Sequence, residues 1–125
     1  MEYKETDGGR SKYYKGRREN DCVIRAIAIA TEQDYKKVFE ELMDLGKTIG
    51  VYPNNPKAYE RYLKALGWEE TRFGKNAIPL DEMTFENKWH IAYTNSHFVA
   101  VKGKTVFDTW DCRYQRVWRI WTKAV

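Results

Sequence analysis

Cysteine and histidine are scarce in this sequence, and long apolar runs are missing. Two cysteines, Cys22 and Cys112, stand among 125 residues and do not form a CxxC pair, so a disulfide framework is excluded. The two histidines, His90 and His97, do not complete a convincing zinc set with them, and no metal is expected. The longest apolar stretch covers residues 26–30, far short of a membrane span, so no membrane association is expected. Residues 1–18 are polar and charged, unlike the apolar core of a secretory leader. The expected setting is therefore intracellular and cytoplasmic, where thiols stay reduced.

Aromatic surface, by contrast, is plentiful. Five Trp, nine Tyr and five Phe, within 42% hydrophobic residues, suffice for one core without metal or disulfide staples. Residues 1–125 read as one domain, with 1–18 as an irregular lead-in broken by Gly8, Gly9 and Gly16. The net charge is +4 and the pI about 9.0. Lys12, Lys15, Arg17 and Arg18 surround Tyr13 and Tyr14, and Arg113, Arg116, Arg119 and Lys123 lie in a stretch with no acid after Asp111. Basic aromatic patches can hold nucleic acid or an acidic partner. No nucleic-acid-binding motif accompanies these, so a solvated surface is expected and nucleic acid is not.

The run from Cys22 to Thr31 is almost wholly apolar, and its Ile-Ala alternation does not by itself separate helix from strand. Its alanines and the N-cap residues Asn20 and Asp21 favour a helix beginning at Cys22. Arg25 is the only charge in it and needs solvent or a partner. Tyr35, Val38, Phe39, Leu42 and Met43 form one face of a second helix, ended by Gly46. A third starts at Asn55-Pro56, repeats the spacing at Tyr59, Tyr62, Leu63 and Leu66, and stops at Gly67. From Trp89 the period becomes two. Strands are expected at Trp89–Tyr93, His97–Val101, Val106–Trp110 and Val117–Trp121, with turns at 94–96 and at Lys102-Gly103. The expected fold is α+β, N-terminal helices packed on an antiparallel meander.

Cys22 carries the chemistry of interest. A thiol at a helix N-terminus meets the positive end of the helix dipole and free N–H groups, which favour the nucleophilic thiolate. The second hairpin supplies an independent argument. A two-residue loop at Lys102-Gly103 sets Val101 opposite Lys104, and His97 then faces Asp108. Facing residues share one side of the sheet with Cβ atoms about 4.5–5.5 Å apart, within reach of an imidazole–carboxylate hydrogen bond. Such a carboxylate fixes the tautomer and leaves the second ring nitrogen for a thiol. If Tyr93 pairs with His97 across the first turn, His90 falls on the opposite face, a structural or surface residue. Cys112 follows a strand and lacks a helix dipole, so it reads as a bystander thiol.

Asn20-Asp21-Cys22 with its apolar helix resembles the nucleophile segment of papain-like cysteine peptidases. His97-Phe-Val-Ala-Val, a Gly turn and Val106-Phe-Asp108-Thr-Trp110 resemble their His and Asn/Asp strands, in the same chain order. The short His-to-Asp interval is closest to small bacterial and phage members related to bacteriocin-processing peptidases. The resemblance covers residues 18–110, resting between 31 and 88 on helix pattern alone. It implies a Cys22–His97–Asp108 triad, a peptide or protein substrate, no cofactor, and a setting such as a phage-infected bacterium. The family's Gln upstream of the Cys is missing, since Gln33 and Gln115 both follow it. Asn20 is the substitute oxyanion donor, beside the Cys22 N–H. Trp110 is expected over the Asp–His pair. Specificity would come from the N-terminal segment and the loops around 46–54 and 68–86. The alternative is the same fold as a non-catalytic module that engages a partner protein.

Overall fold

The computed structural model describes residues 1–16 and 20–124. Arg17 and Arg18, half of the expected N-terminal basic group, lie outside the described residues.

The ambiguous apolar run is a helix, α2 (Cys22–Ala30), following the four-residue α1 (Arg10–Tyr13). Asp21 occupies the N-cap position of α2 without a side-chain cap bond, because its carboxylate is spent elsewhere. The amphipathic stripe forms α3 (Tyr35–Ile49), and Asn55 caps α4 (Pro56–Ala65) by accepting the Lys57 N–H at 2.9 Å. Gly46 does not end α3. The helix runs on to Gly50, whose φ of +79° provides the left-handed stop. Gly46 is needed for another reason: a Cβ there would lie 2.5 Å from the Val51 carbonyl oxygen as the chain folds back.

The strands are β1 (Glu2–Glu5), β2 (Trp68–Arg72), β3 (Trp89–Tyr93), β4 (Phe98–Lys102), β5 (Thr105–Asp108) and β6 (Arg119–Lys123). They form one mixed sheet in the order β1-β5-β4-β3-β6-β2. The α+β expectation holds, but a simple meander does not: only β3, β4 and β5 follow one another. The irregular lead-in is partly a strand, since β1 pairs in parallel with β5. The final strand begins two residues later than expected, because Val117 and Trp118 donate backbone bonds to Ile78 and Tyr93 first. The supposed long loop at 68–86 contains β2 and two 3₁₀ turns, Gly74–Asn76 and Leu80–Glu82.

Each face of the sheet carries a core. Val23, Ile24 and Ile27 of α2 share one with Val38 and Leu42 of α3, Tyr59 and Leu63 of α4, and Ile91, Phe98 and Ala100 of the sheet. The other gathers Leu80, Phe85, Ala92, Val99, Val101, Val106, Cys112 and Val117.

Candidate functional site

Cys22 is the first residue of α2, as its sequence position predicts. It is 9% exposed, close against the sheet. His97 lies in the turn before β4 rather than in the strand itself. Ser96 adopts a left-handed φ of +53°, and the Thr94 N–H donates to the His97 carbonyl at 2.8 Å. This tight turn presents His97 at the end of the sheet. Asp108 closes β5, where its carbonyl accepts the Thr6 N–H at 2.8 Å and the Tyr3 hydroxyl at 3.3 Å. The N-terminal strand thus pins the backbone of Asp108.

The His97–Asp108 contact is present, at 2.5 Å between Nε2 and Oδ2, but by a different register. The loop is Gly103-Lys104, with Lys102 opposite Thr105 and Val101 opposite Val106. Continuing that pairing sets Asp108 level with Val99, so His97 is a diagonal neighbour on the same side. A slip of two residues preserves the side; a slip of one does not. The first hairpin shows the odd case. Tyr93 pairs with Phe98, which moves His90 opposite Val101 and so, by strand alternation, onto the side of His97 rather than the other. His90 stays apart from the site at the far end of the strand. It is buried, its Nδ1 meets the Lys88 carbonyl at 2.9 Å, its ring lies edge-on to Phe85, and burial holds it below the ordinary histidine pKa. It is structural, not a surface residue.

Both thiols act on the protonation of the His97 ring, and Cys112 Sγ lies within 4.8 Å of a ring nitrogen. Burial alone would raise Cys22, but the hydrogen bonds from His97 and the Phe98 N–H, with the charges of His97 and Arg25, bring it below the ordinary thiol value. Cys112 is fully buried, and burial drives it up. Its Sγ donates to Asp108 Oδ2 at 3.5 Å, which requires the protonated form. Burial opposes a charge on His97, but the bonds from Asp108, Cys112 and Cys22 outweigh it and push the imidazole up to about 11. Trp110 lies on His97 with ring centroids 4.7 Å apart while remaining 38% exposed.

Asp108 is held from all sides. Its Oδ1 accepts the Thr109 N–H at 2.7 Å and faces Arg25 Nη2 at 3.6 Å. Arg25 also binds Asp21, which accepts from the Tyr35 hydroxyl at 2.7 Å and pairs with Arg10 at 3.3 Å. The partner that Arg25 needs is therefore a pair of acids. Neither Arg25 nor Cys112 was assigned to the site from sequence. The lone charge in an apolar helix was the signal for Arg25; Cys112 gave none, because its contact depends on how the chain bends after Asp108.

His97, Asp108 and Cys112 bring a nitrogen, an oxygen and a sulfur within 4.8 Å of one another. The donor types suit a metal, but the geometry is that of a direct hydrogen bond. Two ligands about 2.0–2.2 Å from one tetrahedral ion sit well over 3 Å apart, whereas Nε2 and Oδ2 are in direct hydrogen-bond contact at 2.5 Å. Arg25 on the other carboxylate oxygen adds a repelling charge.

Asn20 is exposed and lines a cavity of about 370 Å³ with Arg10, Tyr14, Phe39, Tyr52 and Asn54, at the end of α2 that carries Cys22. The C-terminal cations are largely spent within the fold. Arg113 pairs with Asp111, Arg116 donates to the Ala77 carbonyl, and Arg119 binds Glu60, Glu70 and the Tyr59 hydroxyl. Among the described residues no helix is long and apolar enough to cross a membrane.

No protein-family model, curated protein or solved structure matches this chain.

Proposed function

We propose that the chain is a papain-like thiol hydrolase or acyl transferase acting on a peptide or isopeptide bond of a protein substrate. The observation that supports this most is the imidazole of His97, held on a fixed carboxylate and lowering the pKa of a thiol at a helix N-terminus. Cys22 Sγ attacks the carbonyl carbon as a thiolate, and an acyl-enzyme forms. His97 keeps Nε2 on Asp108, so Nδ1 serves the sulfur, holds its proton and delivers it to the leaving amine. Water, or a second amine in transfer, then attacks the thioester and restores the thiol. The Cys22 N–H and the Asn20 amide stabilise the oxyanion. Trp110 shields the imidazole from solvent. The cavity beside Asn20 takes the substrate's flanking residues, combining the N-terminal segment with the loop after α3.

The alternative is a non-catalytic module of the same fold that binds a partner protein; it draws on the low exposure of Cys22. A peptide vinyl sulfone separates the two. The proposed enzyme is modified once, at Cys22, and Cys22→Ser and His97→Ala are not modified. Absence of adduct on folded wild-type protein, or modification of Cys112 instead, favours the binding module.

A further inference from the structure

Arg25 takes no part in the chemistry proposed above, yet it is buried between the two acids that frame the site. Its Nη1 donates to Asp21 and its Nη2 lies 3.6 Å from Asp108 Oδ1. A buried guanidinium with a single acid would be satisfied locally by Asp21, four residues back on its own helix turn. The reach to Asp108 is a separate, long-range contact between α2 and the end of β5. Only a planar fork spans two carboxylates in this way; an ammonium acts as a point charge. Asp108 therefore has Oδ1 held by Arg25 and the Thr109 N–H, which leaves Oδ2 for His97. The charges also balance. Arg10 and Arg25 match Asp21 and Asp108, so a Cys22 thiolate and a His97 imidazolium add no net charge to the buried cluster.

We infer that Arg25 is a positioning residue of the site: it clamps Asp108 so that Oδ2 faces His97, and it supplies a cation that supports Cys22 as thiolate. Arg25 lies three residues beyond Cys22 on the same face of α2, and its lowering influence on the Cys22 pKa agrees in sign. The inference rests on the proposed hydrolase for its purpose, but the clamp itself is measurable without turnover.

The test compares wild type with Arg25→Lys and with the double variant D21N/R25M, which removes the cation together with its local acid and leaves no orphaned carboxylate at position 21. Circular dichroism and melting establish that each is folded. The first readout is the strongly deshielded Nε2 proton of His97 in the NMR spectrum, which reports the bond to Asp108. It should be present in wild type and lost or broadened in both variants. Its retention in a folded double variant overturns the inference, even if melting temperature falls, because a purely structural Arg25 gives that result. The second readout is the pH dependence of Cys22 alkylation by iodoacetamide. The double variant is compared with Asp21→Asn alone, so that the acid is absent from both: its labelling near neutral pH should be several-fold slower than that of the single variant, and equal labelling overturns the cation's role. If the double variant does not fold, Arg25→Lys decides: it keeps the charge but not the fork, and should lose the proton signal while Cys22 stays reactive. A wild-type Cys22 that titrates as an ordinary thiol overturns the hydrolase instead, and the proton signal still decides the clamp.

Discussion

Two thiols act on one imidazole and are driven in opposite directions. Cys22 meets N–H donors and two cations, so its anion is favoured; Cys112 is sealed in the core and donates to an acid, so its proton is retained. The chemistry of the pair follows from their surroundings and not from their type. His97 is the hinge of this asymmetry, held charged up to about 11 against about 6.5 in an unfolded chain. A histidine raised on folding stabilises the native state fully below its unfolded pKa, and that contribution disappears as pH climbs to the folded pKa. In a Cys22→Ala background, which removes the titrating thiol, urea denaturation should show the largest advantage of His97 over His97→Gln near pH 6. The advantage should shrink as pH rises above about 7 and vanish at a lower pH than in wild type, because the Cys22 contribution to the raised imidazole is gone; a difference that stays flat with rising pH would contradict it. The sequence displays Cys22, His97 and Asp108 openly, because so few of its residues can do thiol chemistry. It hides Cys112, whose approach depends on the bend at 109–112, and it reveals only that Arg25 must find a partner.

At the scale of elements, helices were legible and register was not. The stripes of α3 and α4 announce themselves through 3.6-residue spacing, and Asn55-Pro56 marks a start. Pairing depends on turns whose conformations sequence fixes only loosely. Ser96 in the left-handed region pulls His97 into the first turn, and Gly103, with φ +58°, moves the second turn by one position. The second hairpin slips by two and keeps His97 beside Asp108; the first slips by one and brings His90 onto the side of His97. The N-terminal strand was hidden for a different reason. Glu2–Glu5 has no apolar alternation, and it becomes a strand only because the edge of β5 offers it a ladder. Its last donor, the Thr6 N–H, reaches the Asp108 carbonyl. Thr6→Pro removes that donor, leaving the Asp108 carbonyl only the longer bond from the Tyr3 hydroxyl, and should cost about 1–3 kcal/mol in urea unfolding. Unchanged stability would show that β1 does not support the site.

Across the whole molecule, the site lies where its layers converge. The start of α2, the first turn of the hairpin, the end of β5 and the N-terminal strand all meet around His97 and Asp108. One core fixes α2 against the sheet, and the other holds Cys112 beneath the catalytic candidates. The positive charge read from the C-terminal sequence stays at the surface, with Arg116 and Lys123 exposed, while Arg119 bridges β6 to α4 through Glu60. What distinguishes an acyl-transfer enzyme from a binding module is therefore the state of one sulfur. The direct measurement is the rate of iodoacetamide labelling at Cys22 and Cys112 in the native protein, followed by mass spectrometry from pH 5 to 9. The account predicts that Cys22 reacts much faster, that its rate persists well below the unperturbed thiol pKa of about 8.5, and that His97→Ala abolishes the difference while the fold survives. Slow, equal labelling of both cysteines, or a Cys22 rate indifferent to His97, would contradict it.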